Sequence, residues 1–410
     1  MQLREPLIAA LSDAAWLEHS LTCQYLFAAF SLKTHPEEGG VDWPGLERIR
    51  GWKTELLSMA RQEMAHHGMV CNLLIAIGGA PRFLDTGFPH PTTYCPPYPT
   101  LQLLPFSEEA LERFACYERL HQPTDGKLSP EGGIGTLYAA IRQALERADR
   151  ANPRLFIGPL EHQVGNPELR IRPGQFDVDL SKAHDLRSAL ALVDSIREHD
   201  HHARVVAMQR ELAECKRASP GFSPARPVAP NPRLRALEDS ADPVSLIRHP
   251  RTRAAAGLFS AAHETMVLML TRLYGRSSET DAEAETLTRT AFFPLMTAVI
   301  RPLGELLTRM PLEEGTDAPT AGAPFGATFG LPLQPFKRGA WVLLHERLLD
   351  HASACARLCA ELQSAQEPWA TAIQPRLTML QENLERIARN FEQSLHLDRD
   401  SLQHLLKRGL

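Results

Sequence analysis

The sequence predicts an all-α protein: a bundle of four long helices, then a second helical domain, with a small β-hairpin inserted in the bundle. Three observations carry this reading. Apolar residues recur at spacings of three and four almost throughout the 410 residues, the period of a helix with one buried face. Clusters of Pro and Gly bound each segment so marked. Only one stretch, within 154–180, alternates with the period of a strand.

The first helix covers about residues 5–33, with Leu7, Leu11, Ala14, Leu21 and Tyr25 on one stripe. His35-Pro36 and Gly39-Gly40 end it. The second covers about 43–78, with Leu56, Met59, Val70, Leu73 and Ile77 on its stripe, and stops at Gly78-Gly79-Ala80-Pro81. Pro89, Pro91, Pro96, Pro97 and Pro99 make 80–105 an irregular loop over the bundle. A short helix follows over 107–121, with Ser107 as its N-cap and Glu108-Glu109 suiting its first turn. The third long helix, about 134–150, has Ile134, Leu137, Ile141, Ala144 and Ala148 on its apolar face. The hairpin is assigned to Leu169–Arg172 and Gln175–Asp179 around Pro173-Gly174. The fourth long helix occupies about 181–215, with Ala191, Val205, Met208 and Leu212 on its stripe.

Five prolines in 216–235 mark a linker between a bundle domain, 1–215, and a helical domain, 236–410. The latter contains helical segments at about 248–274, 281–310, 337–364 and 368–395, interrupted by a Gly- and Pro-rich loop at 315–335 that includes the run TAGAPFG.

Charge excludes little and suggests less. With 44 Lys and Arg against 49 Asp and Glu, the net charge of −5 gives no reason to expect nucleic acid or an anionic membrane as partner. Glu5 and Asp13 interrupt the N-terminal segment where a signal peptide needs an apolar core, and no run of about 18 apolar residues occurs. Seven scattered cysteines with no Cys-x-x-Cys pair predict neither a disulfide framework nor a zinc knuckle, so a reduced cytoplasmic setting is expected.

The informative positions are those where an apolar stripe carries an ionisable residue. Glu18 lies at the centre of the first stripe. Glu63 and His66 occupy the middle of the second, between Met59 and Val70. On the fourth helix the run Ala191, Asp194, Glu198, His201, Val205 places Glu198 and His201 in the same relation. Three helices thus aim carboxylates and imidazoles at one interior. Burying a carboxylate without a counter-charge costs several kcal/mol, about the amount that a bound cation offsets. Carboxylate with imidazole and no thiolate suits iron or manganese, with cobalt also possible. The pattern is that of a di-metal carboxylate bundle: lone Glu residues from two helices and Glu-x-x-His from two others.

Chance predicts about one Glu-x-x-His in a chain of this composition, and this one has three. The third, Glu118/His121, ends a short helix and reads more simply as a surface pair. The third helix offers no carboxylate on its stripe, only Tyr138 and, before it, Glu131. The sixth ligand is therefore open: two ions with a carboxylate borrowed from elsewhere, Glu118 among the choices, a single ion, or an asymmetric pair with one ion loosely held. His19 and Asp194 are neighbours able to hydrogen-bond the ligands or add to them, and Tyr25 is a redox-active or hydrogen-bonding candidate that reads more simply as core packing. His67, His199 and His202 point off the stripes and read as groups that hydrogen-bond the ligands or lie at the surface.

These residues resemble the ferritin-like domain of iminophenyl-pyruvate dimer synthase-type proteins of the violacein and rebeccamycin pathways. The likeness rests on Glu18-His19 with Tyr25-Leu26, on Gln62-Glu63-Met64-Ala65-His66 leading to Asn72-Leu73-Leu74 and Gly78-Gly79-x-Pro81, on Ile134-Gly135-x-x-Tyr138-x-x-Ile141, and on Thr320-Ala321-Gly322-x-Pro324-Phe325. It implies a metal-dependent oxidative enzyme of specialised metabolism with Glu18, Glu63, His66, Glu198 and His201 at ligand positions. The family commonly reads Glu-Gln-Gly-Glu-Gly near the fourth-helix site, where this chain has Glu198-His199-Asp200-His201-His202.

The expected function is oxidation of a small amino-acid-derived metabolite by dioxygen or peroxide at one or two iron ions. The loops at 80–105 and 315–335 are candidates for substrate entrance and lid. The competing classes are a ferroxidase or iron-binding protein, which has no use for a second helical domain, and a metal-free helical scaffold.

Overall fold

In a computed structural model of the chain, thirteen helices are distinguished among the described residues, which are 4–83, 87–92, 95, 97–119, 133–169, 179–236, 244–275, 279–315, 319–326, 336–364 and 368–394. The first half is built on two long antiparallel helices, α1 (Arg4–Ser31) and α2 (Trp43–Ala76). Asp42 caps α2 by accepting from Gly45 N at 2.8 Å, with Pro44 in the first turn, where its missing N–H costs nothing. A two-residue antiparallel pair, β1 (His90–Pro91) with β2 (Thr100–Leu101), lies in the Pro-rich loop. Then come α3 (Glu108–Tyr117), α4 (Gly133–Ala151), the single turn α5 (Asn166–Leu169), α6 (Leu186–Glu198) and α7 (His201–Ala218). α3 packs on α7, and α4 packs on α6 and α1.

Two expectations are corrected. The fourth long helix is two helices. Asp200 caps α7 by accepting from Ala203 N at 2.9 Å, and His199 is extended, with φ −72° and ψ 116°. The break resets the helical phase: α6 buries Ala189, Leu192, Val193 and Ile196, while Ala191 and Glu198 face outward. A small antiparallel pair is present at 90–101, and the hairpin assigned to 169–179 falls on 170–178, outside the described residues. Cys95 and Cys116 form a disulfide that fastens the Pro-rich loop to the last turn of α3. Cysteine spacing alone did not foretell this pairing.

In the second half, β3 (Pro232–Arg233) and β4 (Ser245–Leu246) pair in parallel before α8 (Pro250–Gly275). A continuous helical run then holds α9 (Asp281–Thr286), a π-helical segment Leu287–Phe292, α10 (Phe293–Leu295), a second π-helical segment Met296–Ile300, and α11 (Arg301–Leu307). α12 (Lys337–Gln363) and α13 (Pro368–Ser394) form an antiparallel pair against it. The runs Pro250–Tyr274 and Asp281–Leu307 are long and apolar enough to cross a bilayer by length and composition. Here Phe259, Val267, Leu295, Val299 and Leu303 are buried in the common core.

That core is continuous from α1 through α13. The Pro-rich segment between the halves is held in it: Phe222, Pro224, Arg226, Val228 and Ala229 are buried, and Ala225 bridges to Leu32. The TAGAPFG run is also packed. A Cβ on Gly322 would come within 2.4 Å of Phe27 Cε2, so only glycine permits this approach to α1.

Arg226 ties the parts together. Its guanidinium donates to the carbonyls of Phe30 and Leu32, to Thr308 Oγ1, and to Glu38 at 2.5 and 3.0 Å. Burial alone would raise the Glu38 carboxyl. Arg226, the Thr34 N–H and Arg309 outweigh it and hold the group at about 2 against the usual 4.5. A depressed carboxylate stabilises the fold fully above the unfolded value and ceases to as pH falls toward the folded one. Glu38→Gln should therefore lower Tm at neutral pH, with the gap from the parent protein closing between about pH 4.5 and 2. A gap unchanged across that window in thermal melts would show that the ion pair contributes nothing.

Candidate metal centre

The interior between α1, α2, α3 and α7 gathers three carboxylates and two imidazoles. Glu18 comes from α1, Glu63 and His66 from α2, Glu118 from the C-cap of α3, and His201 from the first turn of α7. All are at least nine-tenths buried. They form two triads, Glu18/Glu63/His66 and Glu63/Glu118/His201, each with its ligand atoms within 4.8 Å of one another. Glu63 belongs to both. Its Oε2 lies 3.1 Å from His66 Nδ1 and its Oε1 2.7 Å from His201 Nδ1. Glu18 Oε2 is 3.5 Å from His66 Nδ1, and Glu118 Oε1 is 3.6 Å from His201 Nδ1.

A surrounding layer orients these groups. Tyr138 on α4 donates its hydroxyl to Glu18 Oε1, and Tyr25 on α1 donates to Glu118 Oε1. Burial, then the carboxylates they face, raise both phenols well above their usual range, so each remains a donor. With Nδ1 of His66 directed at the carboxylates, its Nε2 lies 2.9 Å from His199 Nδ1, which is also 3.1 Å from the Ser195 carbonyl. His201 Nε2 donates to Gln62 Oε1 at 2.9 Å, and Arg204 donates to the same oxygen at 2.7 Å. Fixing the far nitrogen fixes the near one, as around metal-bound histidines.

The charges do not rest easily without a cation. Burial, then the Glu63 carboxylate, push Glu18 upward. Burial opposes charge on His66 and His201, but Glu63 outweighs it and raises them to about 9 and about 10. Three buried carboxylates thus face two imidazoles in one apolar interior. Glu18 Oε2 is buried with no hydrogen-bond partner among the described residues. Oxygen-rich donors with two imidazoles, arranged as two triads about one carboxylate, fit a pair of divalent first-row ions.

Not every residue singled out from the sequence is here. Glu198 ends α6 exposed to solvent, because the break at His199–Asp200 turns it away from His201. Asp194 is half-exposed and bonded to Arg142 Nε at 3.1 Å. His19 faces another side of α1, beside Cys23. His202 bonds the Ala115 carbonyl at 2.9 Å, and His67 bonds that of Arg82 at 2.8 Å. His121 and Glu131 lie outside the described residues. Glu118, weighed as a borrowed carboxylate, stands where the third long helix offers none. His199, read from the sequence as a hydrogen-bonding neighbour or a surface group, is the former, whereas Gln62 has no role assigned from the sequence and its one signal is adjacency to Glu63.

His201→Ala should remove one ion of a pair, whereas His202→Ala should leave metal content unchanged. Elemental analysis after equal reconstitution distinguishes them, and equal losses would contradict the geometry.

Beside the centre lies a cavity of ≈ 300 Å³ between α1, α2, α8 and the π-helical run, lined by His19, Cys23, Arg61, His67, Phe292 and Phe325 among others. It follows faces of α1 and α2 about 100° around each helix from the carboxylates. None of the five clustered residues lines it. The two loops expected to admit substrate each contribute a phenylalanine to its wall, Phe83 and Phe325.

Residues 11–200 match the ferritin-like family. The chain is 28% identical to dichlorochromopyrrolate synthase of Lentzea aerocolonigenes, over 86% of this chain and 39% of that protein. It is 29% identical to 2-imino-3-(indol-3-yl)propanoate dimerase of Chromobacterium violaceum, over 86% and 37%. The chain thus spans about two fifths of the length of these relatives. A solved ferritin-like protein from Caulobacter vibrioides aligns over 71% of this chain and 92% of its own, at 19% identity and a TM-score of 0.41.

Proposed function

Residues 11–200 form a ferritin-like domain, and from its interior we propose that the chain is an oxidative enzyme whose Glu18, Glu63, His66, Glu118 and His201 hold two metal ions, iron by preference. The observation that carries this is Glu63, one carboxylate presenting a separate oxygen to each of two buried histidine-containing triads. A structural salt bridge needs one such contact.

Bound there, a redox-active pair of ions supplies dioxygen or peroxide activation. The chain's own groups do the rest. Tyr25 and Tyr138 hold Glu118 and Glu18 by hydroxyl hydrogen bonds, keeping one oxygen of each carboxylate occupied. Gln62 with Arg204, and His199, hold the two imidazoles with Nδ1 turned inward. Leu21, Met59, Val70 and Phe114, buried one helical turn from Glu18, Glu63, His66 and Glu118, add apolar packing that keeps water from reactive species.

The substrate on this reading is a small amino-acid-derived metabolite. Two enzymes acting in its favour as analogies are named for an indolyl imino acid and a chlorinated chromopyrrolate. The aromatic wall of the adjoining cavity suits a planar ring, with Arg61 at hand for a carboxylate. A cytoplasmic setting stays a proposal only, and the Cys95–Cys116 disulfide counts against the cysteine argument for it.

The test is elemental analysis of protein purified anaerobically and reconstituted with iron(II), with absorbance spectra before and after air. About two ions per chain and an air-dependent spectral change are expected. Less than a few tenths of an ion would overturn the reading, and about one would overturn the pair. Iron that accumulates well beyond two per chain would favour storage over oxidation of a metabolite.

A further inference from the structure

One residue further along α1 from Glu18, a second group of ligands collects on the cavity side. His19 and Cys23, one helical turn apart, meet His263 of α8, and one ligand atom from each lies within 4.8 Å of the others. Cys23 Sγ is 3.7 Å from His19 Nε2. His263 is 5% exposed, and its Nδ1 is buried with no hydrogen-bond partner among the described residues. An unpaired ring nitrogen in so apolar a place is unfavourable unless something binds it. The ring is stacked by Phe259 and met edge-on by Phe325, which hold it in place. All three ligands line the cavity.

We propose that His19, Cys23 and His263 form a binding site for copper(I), separate from the carboxylate centre. The donors are two imidazoles and a thiol, with no oxygen among them, so ions that favour carboxylates have little to bind. Charge then selects among soft ions. The wall is almost entirely apolar, and its one permanently charged group, Arg61, is a cation. A thiolate with copper(I) is neutral. The same ligands around zinc(II) carry a net positive charge into a low-dielectric cavity beside a guanidinium. Three ligands also satisfy copper(I), whereas zinc in a structural site takes four. His67, whose ring lies 5.7 Å from that of His19, does not bring a ring nitrogen within 4.8 Å of all three ligand atoms and so is not a fourth ligand.

The test uses the full chain already loaded with iron, titrated anaerobically with copper(I) against a chromophoric chelator. One copper(I) per chain is expected, with an X-ray absorption first shell of one sulfur and two nitrogens. Cys23→Ser should weaken binding at least tenfold, as should His263→Gln, with iron content unchanged in both. A Cys355→Ser control, removing a buried thiol on α12 one turn from Cys359, should bind as the parent does. Uptake unaffected by Cys23→Ser and His263→Gln, or zinc(II) displacing copper(I) at equal concentration, would overturn the proposal. If Cys23→Ser misfolds by circular dichroism, His263→Gln and the sulfur shell decide the matter alone.

Discussion

Replacing Glu63 by glutamine is expected to empty both halves of the centre, lowering metal content from about two ions per chain to a few tenths at most. Every other ligand serves one triad; Glu63 serves two. An amide keeps the shape and loses the charge, so the substitution tests electrostatics with little change in packing. His66 and His201, raised mainly by Glu63 against the opposing effect of burial, should lose their protons at neutral pH in the metal-free variant. That relief returns part of the cost, and a metal-free loss of about 1–3 kcal/mol in chemical denaturation is expected. Glu18→Gln, by contrast, should halve the metal. Retention of one tightly bound ion by Glu63→Gln would show that the ions do not share this carboxylate.

The second large effect separates two glutamates that the sequence presents as near equals. Glu118→Ala should remove the ion on the His201 side, halving metal content, while Glu198→Ala should leave it unchanged. Glu118 is buried against Tyr25 and His201, and the exposed end of α6 holds Glu198 in solvent. The Glu118 variant also leaves the Tyr25 hydroxyl without its acceptor in the core, an added cost of about 1–3 kcal/mol. Tyr25→Phe with Glu118→Ala removes both partners and should recover stability but not metal. Unchanged metal in the Glu118 variant, or a loss in the Glu198 variant, would return the ligand to the Glu-x-x-His reading.

Where the sequence could be read and where it could not follows from how far each contact reaches along the chain. Glu18, Glu63 and His66 sit mid-stripe on unbroken helices, so periodicity alone locates their side chains on the buried face. The sequence run around His201 keeps the same spacing as its neighbours, yet Asp200 is as good an N-cap as it is a helix residue. The cap prevailed, and the residues before it changed face. Glu118 was harder still. Its helix is only ten residues long, and its place in the bundle depends on packing against α7, a hundred residues later. The Cys95–Cys116 link and the burial of the Pro-rich segment are likewise set by tertiary contacts that no local pattern announces.

The two π-helical segments, Leu287–Phe292 and Met296–Ile300, place Phe292, Met296 and Ile300 in the cavity wall. A π-turn carries about one more residue than an α-helix uses for the same turn. Deleting one residue from either segment is therefore absorbed as the turn tightens, with α8 and α13 keeping their contacts on both sides. What changes is the chamber, which loses one side chain's width of wall. In a lineage built on this scaffold, the size of the accepted molecule can be altered by insertion and deletion in a single helix while the bundle and its ligands stay in register.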